Sequence, residues 1–122
     1  MIDYPLTLGV TKETDNKLRW DVDVEGVRFS LYIPKVHVPS PPPQQLRVRI
    51  AAGDAGQRQR SDNAALNAVV TRVDDKTRTV RYRPTGDAED WQIGEPYIPY
   101  GVLDAISPSQ TPEKLTISVE WI

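Results

Sequence analysis

The chain has 122 residues, 39% hydrophobic and 26% charged, with a net charge of −2 and no cysteine. That length fits one domain spanning 1–122, large enough to bury a core without staples. The missing thiols exclude a disulfide framework, a thiolate metal site and a cysteine nucleophile, and they suit a reducing cytoplasm.

No stretch approaches the ~18 apolar residues of a membrane span. The first ten residues carry Asp3 and Pro5 and no basic flank, which does not read as a signal peptide. A cytoplasmic protein is the expectation.

In chain order, the first clear element is "KLRWDVDVEGVRFSLYI", residues 17–33. Apolar residues alternate with polar ones on both sides of Glu25-Gly26, the period of half-buried strands. A two-residue turn there pairs Val24 with Val27, Val22 with Phe29, Trp20 with Leu31 and Leu18 with Ile33. All four pairs are apolar and share a face, so turn length and pattern predict the same register.

"VHVPSPPPQQ" follows, with Pro39, Pro41, Pro42 and Pro43. Pro39 and Pro42 match P-x-x-P, but no cation sits at the offset that polyproline-binding domains favour. The N-terminal 38 residues hold one hairpin, too little for a domain of their own. A rigid crossover within one domain remains, stiffened by proline and unable to donate to a sheet edge.

"LRVRI" (46–50) reads as a strand with Leu46, Val48 and Ile50 inward and Arg47 and Arg49 outward. Residues 51–63 read as a mobile polar loop, and Ser61 or Asp62 is a candidate cap for a short helix. Residues 65–84 read as a second hairpin. Its expected pairs are Val73–Arg78, Thr71–Val80 and Val69–Tyr82, which send Arg72, Arg81 and Arg83 outward. Residues 85–102 read as a long connection broken by glycine and proline. In "KLTISVEWI" (114–122), Leu115, Ile117, Val119 and Trp121 share a face, which predicts a final strand. Short strands, frequent turns and at most one short helix predict an all-β sandwich or barrel of six to eight mostly antiparallel strands.

Charge is uneven. Residues 46–83 carry a net +5 and residues 84–122 a net −6. The basic part yields one candidate surface, Arg47, Arg49, Arg72, Arg81 and Arg83, with Arg58 and Arg60 on the adjoining loop. Guanidinium forks suit phosphate, so nucleic acid is the alternative partner. "WQIGEPYIPYGVL" (91–103) yields the other. Trp91, Tyr97, Ile98, Tyr100 and Leu103 are too apolar for an ordinary solvent loop and are the candidate protein interface. The competing explanation is that they close one end of the barrel.

His37 is the only histidine and has no carboxylate or serine in obvious company, so neither a zinc site nor a triad is assigned. Asp87, Glu89 and Asp90 cluster without the spacing of a calcium loop. No cofactor is expected. The leading expectation is a non-catalytic module that binds a protein or a copy of itself; an enzyme ranks third, because no nucleophile, base and orienting group can be named together.

Overall fold

The computed structural model describes residues 3–53 and 66–121. Eight strands form one sheet: β1 (Asp3–Glu13), β2 (Lys17–Val24), β3 (Val27–Pro34), β4 (Gln45–Ala52), β5 (Leu66–Asp75), β6 (Thr79–Pro84), β7 (Tyr97–Pro99) and β8 (Lys114–Trp121). The only α-helix among the described residues is α1 (Tyr100–Ile106). Every pairing is antiparallel, in the order β3-β2-β1-β4-β8-β5-β6-β7. The sheet curls into an all-β, nearly closed barrel.

The β2–β3 hairpin has the predicted register, from Val24 against Val27 to Leu18 against Ile33. Trp20, Phe29 and Ile33 are fully buried along it. In β4, Leu46, Val48 and Ile50 point into the core as expected. β8 lies between β4 and β5, with Ile117 flanked by Ile50 and Ala68, and Val119 by Val48 and Leu66. Those rows of aliphatic side chains fill the barrel. The other face of β8 is also covered: Thr116 and Ser118 are buried, and their hydroxyls donate to Gly53 O and Asn67 Oδ1. That satisfies polar groups which would otherwise be expensive to bury.

β1 has no counterpart among the predicted elements. Tyr4, Leu6, Leu8 and Val10 nevertheless alternate with Pro5, Thr7 and Gly9, and Leu8 is fully buried. Pro5 lies in the half of β1 that pairs with β4 alone, since the ladder to β2 begins at Gly9. A residue without an N–H is tolerated where one flank is open.

The second hairpin departs from the predicted register. Val70 faces Pro84, Thr71 faces Arg83 and Arg72 faces Tyr82; after a bulge at Val73, Asp74 faces Arg81. A bulge adds one residue to one strand and shifts the alternation by one. Leu66, Ala68 and Val70 therefore supply the inner face, in place of Val69, Thr71 and Val73. Tyr82 points inward as predicted and is fully buried. The loop expected over 51–63 begins past the end of β4, and its remainder, with the candidate caps Ser61 and Asp62, lies outside the described residues.

The barrel does not zip shut. β3 and β7 are the two ends of the sheet and form no ladder, although their Cα atoms approach within 8 Å. Gly94 N–H donates to Tyr32 O across this seam. β7 spans three residues and is flanked by Pro96 with Pro99 at its end. Proline cannot donate, so this edge cannot complete a ladder with β3.

Both ends of the barrel are covered. α1 lies over the end that carries the β2–β3 turn and buries Val102, Leu103 and Ile106. The segment 38–44 carries the chain from β3 to β4 past β2 and β1 at the other end, within one sheet, as the crossover reading required.

Candidate functional site

The predicted interface segment 91–103 contributes part of its apolar side chains to the core. Ile98 is fully buried in β7, and Leu103 packs inward from α1. Neither is available to a partner, which corrects their assignment as contacts. The physical reason is a short helix where a connection was expected: its turn points Val102, Leu103 and Ile106 to one side, into the barrel. Trp91 is half-buried, and its indole N–H donates to Gly86 O at 3.0 Å. Tyr97 remains 43% exposed on the barrel exterior. Tyr100 is half-buried and donates its hydroxyl to Lys76 O. The three lie on β7, its approach and the start of α1.

The five arginines do not share one face. β8 and β5 separate β4, with Arg47 and Arg49, from β6, with Arg81 and Arg83. Arg72 does not point outward beside them. The bulge places it opposite Tyr82, where it pairs with Asp75 at 2.7 Å and Glu113 at 3.1 Å. Arg47 lies 3.7 Å from Glu120, Arg81 3.3 Å from Asp74, and Arg83 2.9 Å from Glu95. Tyr97 first, and then Asp74, holds Arg81 in its charged form. Arg47, Arg72, Arg81 and Arg83 thus each have a carboxylate partner beside them, which competes with a phosphate for the guanidinium. Mixed-sequence DNA and RNA, followed by fluorescence anisotropy, are therefore expected to show no binding at ~0.15 M salt. Affinity with a steep salt slope would return the arginines to phosphate contact. Arg58 and Arg60 lie outside the described residues.

Asp87, Glu89 and Asp90 are exposed around a single turn of 3₁₀ helix. Among the described residues, no three His, Asp or Glu side chains converge to hold a metal ion. His37 ends a second such turn, Lys35–His37.

The surface that stands out is the proline crossover and this second turn. Val36 is 84% exposed, the most exposed large apolar side chain among the described residues. Pro39, Pro41 and Pro42 are exposed beside it, while Val38 packs partly onto the core. Two shallow clefts flank Pro42. One, about 210 Å³, is lined by Leu18, Val38, Pro39, Ser40 and the Glu13–Lys35 pair. The other, about 440 Å³, is lined by Val10, Leu18, Lys12 and Pro41–Gln44. Leu18 and Pro42 belong to both, so one ridge separates two apolar notches.

The segment is tied down along its length. The Trp20 indole N–H donates to Pro43 O at 3.1 Å from inside the core. Val10 N–H donates to Gln44 O, Val38 N–H to Lys35 O, and Lys35 N–H to Asn16 O. Lys35 Nζ donates to Glu13 Oε2 at 3.0 Å. A surface held this way loses little conformational entropy on contact. Val36 is not among the sequence candidates, because "KVHVP" reads as the lead-in to a stiff crossover. The usable signal was a β-branched residue just after Pro34, where a strand has ended and no burial is on offer.

No helix among the described residues is long and apolar enough to cross a membrane. No protein-family model matches the chain, and no curated protein matches it in sequence.

Proposed function

We propose that the protein is a non-catalytic interaction module that binds another protein, or a second copy of itself, through the Val36–Pro42 surface. The observation that carries this reading is an apolar knob, 84% exposed at Val36, on a segment fixed from below by Trp20. Burying such a side chain stabilises by roughly 1.5–3 kcal/mol, and leaving it in water forgoes that gain. The clefts on either side of Pro42 carry Leu18, Val38, Val10 and proline carbons along their walls, which suits binding by shape. The setting we propose for it is a reducing cytoplasm, which the absence of cysteine suits.

The test compares the wild-type chain with Val36→Asp. Sedimentation equilibrium from micromolar to millimolar concentration reads self-association, and affinity capture from cell extract reads other partners. The expected result is self-association, or a captured protein, that weakens at least ~10-fold in Val36→Asp, the scale of a central interface residue. Val36 touches little, so folding stability should change by no more than ~0.5 kcal/mol. A wild-type chain that stays monomeric and captures nothing that Val36→Asp does not capture equally would overturn the reading.

A further inference from the structure

The Val36–Pro42 surface carries a projection and a recess side by side. Val36 projects into solvent. Just after it in the chain, Val38 lines the cleft of about 210 Å³ together with Leu18, Pro39, Ser40 and Pro42. The rest of the cleft wall is Glu13 and Lys35, an exposed ion pair with Nζ 3.0 Å from Oε2. Lys35 immediately precedes the projecting valine.

A surface with a projection beside an apolar recess can be covered by its own image. A two-fold axis between the two features seats each Val36 in the other copy's cleft, against carbons of Leu18, Val38 and Pro39. One patch then serves both sides, as in an isologous dimer. The charges fit the same operation. Lys35 travels with Val36, so a seated valine brings its neighbour to the wall where the other copy carries Glu13. Both signs stand on this rim, and the image sets them opposite one another. A strongly acidic or strongly basic partner would meet a like charge there instead. The whole chain opposes a second copy only weakly, at a net charge of −2 over 122 residues. Both features are also fixed before contact, by the Trp20 indole on Pro43 O and by Lys35 N–H on Asn16 O. Neither copy then gives up much conformational freedom.

We propose that the protein forms a two-fold homodimer in which Val36 of each copy seats in the other's cleft and Lys35 pairs with the other's Glu13. This rests on the Val36–Pro42 contact surface proposed above and names its occupant. The ion pair within each chain is exchanged for two that run between chains.

Sedimentation equilibrium up to millimolar concentration tests this on the wild-type chain, Glu13→Lys, Lys35→Glu and an equimolar mixture of the two variants. Each variant alone sets like charges against each other twice per dimer and is expected to weaken self-association at least ~10-fold. In the mixed dimer every facing pair is opposite in sign again. The mixture is expected to return to within ~3-fold of the wild-type dissociation constant. Mixing cannot restore a pair within one chain, so recovery reports a contact between chains. Both side chains are exposed, and an exposed pair contributes little to folding, so the urea midpoints of the variants should match the wild type. A wild-type chain that is monomeric at millimolar concentration overturns the homodimer. So does self-association that the single variants leave intact or that the mixture fails to recover. If such a monomer still captures a protein that Val36→Asp loses, the contact surface stands and only its occupant is wrong. A monomer whose captures are unaffected by Val36→Asp removes both.

Discussion

Trp20→Ala is expected to destabilise the protein by ~3–5 kcal/mol, the range for deleting a large buried aromatic. Trp20 is fully exposed to the core and to nothing else: it has no solvent-accessible surface and is the largest fully buried side chain. It lies on β2 against Leu31 of β3 and Val10 of β1. A domain of this size has a total stability of ~5–15 kcal/mol, so a large share is at stake. Urea unfolding read by far-ultraviolet circular dichroism measures it.

Trp20→Phe separates two roles. It keeps an aromatic ring in the core but leaves Pro43 O without the indole N–H. The expected loss is ~1–3 kcal/mol, the cost of an abandoned, partly buried acceptor plus a small void. It should also loosen the crossover, seen as faster exchange of the Val38 amide, while the β8 amides keep their protection. A Trp20→Phe chain with an unchanged Val38 amide would mean that the proline segment is held from outside rather than by the core.

Tyr82 produces the second large effect, and it depends on pH. Its ring is fully buried and its hydroxyl donates to Pro112 O at 2.7 Å. Burial, the largest cause, pushes its pKa up from 10.0 to about 12. Below pH 10 the folded and unfolded states both keep the proton, and the contribution is fully present. Between pH 10 and 12 the unfolded chain releases it while the folded chain holds it, so stability falls as pH rises. The loss by pH 12 is about 2–3 kcal/mol. Tyr82→Phe should cost ~1–2 kcal/mol at neutral pH, because Pro112 O loses its donor. It should also lose that part of the alkaline slope. Urea midpoints at pH 8, 10 and 11.5 for both chains give the difference directly. Equal slopes would place the phenol in contact with water.

Strict alternation was readable wherever both strands of a pair kept it. The β2–β3 hairpin is the clearest case, because four apolar pairs and a two-residue turn agree and a slip of one would expose Trp20 and Phe29 together. The inward faces of β4 and β8 follow from the same rule. β1 was equally periodic, but Pro5 and Gly9 obscured it. The β5–β6 register was not readable, because the bulge at Val73 breaks the period within the strand. The bulge can only be seen once β8 fixes Val70 against Leu115 on the other edge.

The candidate surfaces divide in the same way. Composition marked 91–103 as apolar, but a stretch that folds into α1 and β7 spends that apolar surface on the core, and only the tertiary structure turns Ile98 and Leu103 inward. The arginines were readable as outward on β4 and β6. Whether they formed one face depended on strand order, a long-range property that local pattern does not carry. By itself the sequence determined an all-β chain with one hairpin register, inward aliphatic rows and a stiff crossover, because alternation, turn chemistry and proline act locally. The tertiary structure decided the bulge, the strand order, the lid at one end and the exposure of Val36 at the other, because each depends on residues far apart in the chain.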